Sequence, residues 1–451
     1  MVTAISQDGA EDGTNRLRVL ILAESCNPDW YSVPLVGWSH YEALSRLADV
    51  HLITRVRNRE ALNRAGLREG RDYTAIDTEF VFEPMVRLVN RISGTNKGWA
   101  ILTALTIPSY LLFEWIAWRR FRKALKRKQF DLVHRITPVS PAVPSPFARW
   151  CREVGVPFVL GPINGGLPWP EQFPDLKRQE GEWLSRFRFM FKAIPGYRAT
   201  RNAASAIITG GISAFREIPE KWKAKTFYIP ENGFDPERFL GARDRTAQDY
   251  ADRPLRALYI GRLVPYKGCT MLIEAAAPLI QQGRMVLTII GVGPEKEPLC
   301  ERITQLGIAD KVRFTGEVSH NSIADYLAGA DILTFPSIHE FGGAVVLEAM
   351  AMGTVPVIAD YGGPAELASS NCAFLVPLRE RAEFIAELRT VLEQIAARPE
   401  QLAPLAENGR KRANTFFTWS RKAAQTMEIY RWVLGKCQVR PGWGMPFRDK
   451  P

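Results

Sequence analysis

Short β-branched apolar runs alternate with longer amphipathic ones along nearly the whole chain, and no other feature limits the fold as strongly. LRVLILAE (17–24), VHLITRV (50–56), FDLVHRI (130–136), PFVLG (157–161), SAIITG (205–210) and TFYIP (226–230) read as strands before residue 240. LRALYIG (255–261), MVLTIIG (285–291), VRFTG (312–316), DILTFP (331–336) and VPVIA (355–359) follow it. Helical patterns such as SHYEALSRLA (39–48) separate most of them, which argues for parallel α/β sheets. About four or five strands on each side imply two such domains, joined near NGFDPERFLGARDRTAQDYADRP (232–254). No internal repeat or low-complexity tract interrupts the pattern.

With 451 residues, 46% hydrophobic and 24% charged, the chain is neither disordered, collagen-like nor a disulfide scaffold. Six scattered cysteines form no C-x-x-C and no Cys/His cluster, which argues against structural zinc and for a reducing, cytoplasmic setting. The polar stretch 1–16 reads as a flexible tail rather than a signal peptide. The net charge of +11 is uneven. Residues 1–240 carry 34 basic and 25 acidic side chains, net +9, whereas 241–451 carry 25 and 23, net +2. The first half therefore faces something anionic. Charge alone also raises nucleic acid, but no recognised nucleic-acid module is present.

WAILTALTIPSYLLFEWIAW (99–118) is a 20-residue apolar run with one charge, Glu114, followed by seven basic residues in 119–128. Three readings stand. It is a buried helix continuing into a solvated basic one, a peripheral contact with an anionic membrane through Trp115, Trp118 and the basic stretch, or a span. Pro108, Glu114 and the immediate return to a strand–helix pattern count against the span.

The second half carries the chemistry. LRALYIGRLVPYKG (255–268) is a strand running into a loop with Arg262 and Lys267 between Gly261 and Gly268. Glycines allow close approach of a ligand, and a guanidinium with an ammonium suits a diphosphate. In FPSIHEFGGAVVLEAMAMGTVPVIADYGGPAEL (335–367), a strand ends near Phe335, Gly342-Gly343 make a turn, and a helix starts at Ala344. The free amides and positive dipole end of that helix make an anion site. Glu340 sits just before it. Glu348 lies inside an otherwise apolar run, where a polar partner such as a sugar hydroxyl would offset its burial. His339, next to Glu340, reads as incidental.

These motifs resemble the retaining glycosyltransferases of family GT4. G-R-L-x-x-x-K-G is followed about 70 residues later by E-x7-E, and IPENGFDPERF (229–239), IIGVGPE (289–295), YGGPAEL (361–367) and FTWSRKAAQTMEIYRWVL (417–434) fall in family order. The resemblance runs continuously over about 210 residues from 229. It implies the GT-B fold, two Rossmann-like α/β domains facing each other across a cleft. The divisions would be 17–240 on the acceptor side, 241–416 on the nucleotide-sugar side, and 417–451 crossing back as a helix and tail. By the same resemblance, Arg262 and Lys267 bind the donor diphosphate, Glu340 contacts the donor sugar, and Glu348 holds the ribose. Gly342, Gly343 and Ala344 present amides to phosphate and sugar. One local departure is EFGG where E-G-F-G or E-S-F-G is usual.

The first domain matches less well. SCNPDWYSVPLVGW offers only Gly37 for the family's glycine-rich donor loop. FDLVHRITP places His134 at the first position of D-x-x-H-x-H and Ile136 at the second. His134 is thus either a sugar contact or a strand-end histidine. GPINGGLPWPEQFP (161–174) reads as a pocket-lining loop in which Asn164 binds a sugar hydroxyl or makes a turn.

The activity implied is transfer of a sugar, with retention, from a UDP- or GDP-sugar to a hydroxyl of a glycan or lipid-linked acceptor, in polysaccharide or glycoconjugate biosynthesis. Nucleotide-sugar is a co-substrate; no cofactor or metal is expected, since two cations and a helix N-terminus can meet the departing charge and no D-x-D-like pair ends a strand. A GT-B enzyme of another class, such as an epimerase, and a small-molecule glycosyltransferase are the alternatives. The basic first half favours an acceptor that carries phosphate or sits at the inner face of a membrane.

Overall fold

All eleven of the apolar runs become strands, two further strands join them, and every pairing among the thirteen is parallel. The computed structural model describes residues 16–93, 99–179, 192–239, 241–242, 245–319 and 322–443, with backbone alone at 86, 88–93 and 99–106. Apart from Arg16, the expected tail lies outside the described residues.

The first sheet contains β1 (Arg18–Ala23), β2 (Asp49–Arg55), β3 (Tyr73–Ile76), β4 (Leu132–Thr137), β5 (Phe158–Ile163), β6 (Ala206–Thr209) and β7 (Thr226–Tyr228), in the order β3-β2-β1-β4-β5-β6-β7. The second contains β8 (Leu255–Ile260), β9 (Met285–Ile290), β10 (Val312–Gly316), β11 (Ile332–Phe335), β12 (Val355–Ala359) and β13 (Phe374–Val376), in the order β10-β9-β8-β11-β12-β13. Both therefore have the doubly wound 3-2-1-4-5-6 arrangement, the first with one strand added. Seven and six strands exceed the four or five expected on each side. The two strands that the sequence pattern misses are β3 and β13, four and three residues long.

In such sheets ligands bind beyond the carboxyl ends of the strands, where helix N-termini converge. Here the two sheets turn those ends toward each other. Asn164, just past β5, reaches the carbonyl of Phe341, beyond β11, at 3.4 Å. The amide of Ile212, past β6, donates to Glu366, beyond β12, at 2.9 Å. A helix over Trp419–Val433 returns to the first sheet, where Ala423, Met427, Ile429 and Tyr430 are buried with Ile21, Leu132 and Phe227.

The apolar segment at 99–118 belongs to a helix, Trp99–Lys126. From Tyr110 onward it packs into the first domain, with Tyr110, Phe113, Ala117 and Leu125 in the core. Glu114 is fully buried and accepts from Tyr110 Oη, from Ser145 Oγ at 2.6 Å and from the Phe147 amide at 3.0 Å. Burial raises its pKa. Among the described residues no helix is long and apolar enough to cross a membrane, so the span is set aside in favour of the buried helix. The basic side chains of 119–128 stay exposed at its far end.

Candidate active site

The loop after β8 is built on backbone contacts that only glycine permits. Gly268 has φ 75° and starts the helix Cys269–Gln281. A Cβ there would press on Met271 and the Pro336 carbonyl. The loop after β9 lies directly against it: the amides of Gly261 and Leu263 donate to Ile290 and Val292, and the Glu295 amide returns a bond to Leu263 at 3.1 Å. The G-x-G-P segment thus braces the Arg262 loop from beneath.

Held in this way, Lys267 places its Nζ in contact with Glu340 Oε2. Lys267 and Glu340 side chains are mostly buried, 13% and 18% exposed. Burial first, and the neighbouring Arg262 charge second, press the Lys267 pKa down to about 7. Arg262 itself is exposed at the mouth of the loop. Lys267 and Glu340 thus meet beside Arg262.

The turn after Glu340 completes the group. Gly343, φ 81°, is the N-cap of the helix Ala344–Ala351, and a Cβ there would approach Pro364 Cγ at 2.9 Å. Gly342 packs so closely on the Asn232 side chain that a Cβ would collide with it. The Gly363 amide donates to the Glu340 carbonyl at 2.9 Å. The first amides of the helix, beginning at Ala344, thus follow closely after Glu340 in the chain, with Glu348 buried about one turn further in. A convergence of two cations, free amides and a carboxylate beside them suits a diphosphate with a polyhydroxyl group attached.

The first-domain candidates fare differently. Gly37 lies inside the helix Val33–Ser45 rather than in the loop before it. Its missing side chain lets the helix approach the Ser25 carbonyl. His134 is fully buried on β4, with Nε2 donating to the Gly161 carbonyl and Nδ1 accepting from Tyr430 Oη, both at 2.6 Å. Desolvation lowers its pKa to about 4. Nδ1 is spent on tying the returning helix to the sheet and Nε2 on tying β4 to β5. Asn164 bridges domains: its Nδ2 donates to Glu231 and to the Phe341 carbonyl, and its Oδ1 accepts from the Gly165 amide at 2.8 Å. Glu231 in turn lies beside the fully buried Lys422, whose Nζ donates to the Pro230 carbonyl. Burial pushes the Lys422 pKa down to about 7, and the Glu231 charge opposes that.

Three cross-domain contacts escape sequence reasoning. His339 is not incidental: it stacks on Trp169 of the 161–174 loop and meets the Leu167 carbonyl through Nε2 at 3.2 Å. That loop does more than line a pocket, because Phe173 is buried in the second domain's core, 6.3 Å from Phe384 between ring centroids. Glu366, from YGGPAEL, accepts from the Ile212 amide and from Tyr228 Oη at 3.2 Å, and burial raises its pKa to about 7. The four prolines of GPINGGLPWPEQFP and the YGGPAEL motif are the signals that pointed at any of them.

Residues 242–412 match the Glycosyl transferases group 1 family. The chain is 34% identical over 213 residues to a protein of Catenulispora acidiphila named D-inositol 3-phosphate glycosyltransferase 2, covering 44% of this chain and 48% of that one. It spans about half the length of the curated relatives it matches. Among solved structures, sucrose-phosphate synthase from Thermosynechococcus elongatus superposes with a TM-score of 0.60 at 19% identity, over 94% of this chain and 100% of that one. Anabaena HepE in complex with UDP superposes with 0.57 at 18% identity, over 91% and 99%. The chain as a whole thus has the GT-B fold, and its residues 242–412 are similar to the Glycosyl transferases group 1 family.

Proposed function

We propose that this protein is a glycosyltransferase that moves a sugar, with retention of anomeric configuration, from a nucleotide-sugar to a hydroxyl of a glycan or lipid-linked acceptor. The observation that carries the reading is the contact of Lys267 with Glu340 beside Arg262, at the start of the Ala344–Ala351 helix. The bond from the anomeric carbon to the diphosphate oxygen breaks, and the diphosphate keeps the electron pair. Arg262, Lys267 and the helix amides meet that developing charge; removing one such donor typically costs ~10²–10³ in rate. The acceptor oxygen bonds to the anomeric carbon, and its proton goes to the departing phosphate. Glu340 holds the sugar near its reacting face, and Glu348 the ribose. The UDP bound to the HepE neighbour supports a nucleotide on the donor side.

The acceptor belongs to the first domain, 17–240, which carries most of the excess positive charge. The exposed basic turns of 119–128, where Arg119 lies 4.8 Å over the half-exposed Trp115 ring, would meet an anionic membrane at its inner face. Thermal-shift binding across UDP-, GDP- and ADP-sugars tests the donor assignment. One of them should stabilise the protein, and Lys267→Ala should abolish the shift. Stabilisation by none of them, or an unchanged shift in the variant, overturns it.

A further inference from the structure

A second group of cations lies at the carboxyl ends of β1, β2 and β3, and the donor-side reading makes no use of it. Arg55 closes β2 and is 1% exposed. Arg57 follows it, and both guanidinium carbons lie over the Phe82 ring, 5.0 and 3.9 Å from its centroid. Two carboxylates are near. Glu24, just past β1, approaches Arg55 Nε at 2.8 Å, and Glu79 accepts from Arg57 Nε at 3.1 Å.

Those carboxylates do not use up the donors. The Glu24 contact is not aligned as a hydrogen bond, so Arg55 Nε and Nη1 are both without one, as is Arg57 Nη2. The fully buried hydroxyl of Thr78 has no partner either. It lies two residues past β3, whose Ile76 pairs with Arg55. Nearby on β4, Arg135 leaves Nε without a partner, and its guanidinium lies 5.4 Å from the Tyr110 ring. A buried donor left without a partner is destabilising. Such donors are rare singly, and several at one sheet edge call for a shared acceptor of hydrogen bonds.

The chemistry of that acceptor follows from the set. Stacked guanidinium groups present planar forks that match phosphate oxygens, and hydroxyls add donors at other angles. A carboxylate offers two oxygens; a phosphoryl group offers three and more charge, which suits three arginines set against Glu24 and Glu79. The position fits the same cleft. β2 stands three places from β5 in the sheet, ~14 Å along the carboxyl edge at strand spacing, and the Asn164 loop beyond β5 reaches the donor-side turn.

We propose that this edge binds a phosphoryl group of the acceptor, with Arg55 and Arg57 supplying the charge and Thr78 a neutral donor. The word acceptor rests on the glycosyltransferase reading; the phosphoryl site does not.

The test is thermal-shift titration of the full chain with inorganic phosphate, in the presence of whichever of UDP or GDP stabilises it. Wild type should respond at millimolar phosphate. The half-buried Arg57→Gln should weaken the apparent affinity at least tenfold, and Arg57→Lys should recover part of it. Thr78→Val, which keeps the shape, gives a second reading if Arg57→Gln folds poorly. Glucose 6-phosphate and vesicles containing phosphatidic acid then separate a sugar phosphate from a lipid headgroup. No response to phosphate, or an equal response in wild type, Arg57→Gln and Thr78→Val, overturns the site. Failure of both nucleotides to bind would strike the donor reading alone, because the Arg57 dependence is still read with phosphate.

Discussion

The Trp169 indole lies flat on the His339 imidazole, ring centroids 4.3 Å apart and planes 10° from parallel, although the two residues come from opposite sides of the cleft. His339 immediately precedes Glu340. The stack therefore couples the 161–174 loop of the first domain to the residue that touches Lys267. Tyr361 Oη adds a bond to the Pro168 carbonyl at 2.6 Å, and Phe173 anchors the far end of the strap.

Removing the indole should loosen that strap. An aromatic pair contributes ~0.5–1.5 kcal/mol beyond its buried area, so Trp169→Ala should unfold at slightly lower urea and give a larger radius of gyration by small-angle scattering. A radius identical to wild type would mean that Phe173 and Glu366 hold the domains without it.

Lys267 should take up a proton when a nucleoside diphosphate binds. With its pKa near 7 in the free protein, it is about nine-tenths neutral at pH 8, and a diphosphate favours the charged form. Calorimetry in two buffers of different ionisation heat should register close to one proton gained at pH 8. Affinity should fall about tenfold per pH unit above 7. Lys267→Ala should lose both the uptake and most of the affinity.

Glu366 should make the fold less stable as pH rises. Its pKa is about 7 against an ordinary 4.5, so between those values the folded chain binds more protons than the unfolded one. Stability then falls as pH increases through that window, and the cost is complete above it. Glu366→Gln keeps an oxygen for the Ile212 amide without the charge. It should flatten that slope and exceed wild type at pH 8 by on the order of 2 kcal/mol, measured by urea unfolding at pH 5 and 8.

Gly343 should not tolerate a side chain. Its φ of 81° and the nearby Pro364 Cγ set a cost of ~1–3 kcal/mol for alanine. Because the strain falls on the amides that start the helix, Gly343→Ala should weaken nucleotide binding in a thermal-shift titration more than it lowers the midpoint of unfolding.

Tyr430→Phe separates anchoring from chemistry. It leaves His134 Nδ1 buried without a donor, at ~1–3 kcal/mol. Urea unfolding should show that loss, while nucleotide affinity stays at the wild-type value. A fall in nucleotide affinity would return His134 to the binding site.

Most of the second domain is legible in the sequence, and for a local reason. G-R-L-x-x-x-K-G and E-x7-E each occupy one loop and one helix start, so spacing along the chain nearly equals arrangement in space. Even the meeting of Lys267 with Glu340 follows once β8 and β11 are neighbours in the sheet. The first domain was less open to reading. Gly37 moved from a loop into a helix because Pro34 and the run after it start the helix earlier than the loop residues suggested. His134 lost its freedom to a tyrosine nearly 300 residues away.

The alternation of apolar runs by itself determined two parallel sheets, and the motif order determined what the second one carries, because strand period, helix period and glycine turns are properties of a few consecutive residues. Only the tertiary structure decided which side chains cross the cleft. Trp169 on His339, Asn164 on Phe341, Glu366 on Ile212 and the unsatisfied donors around Arg55 depend on where separate strands end, and burial there sets their charges.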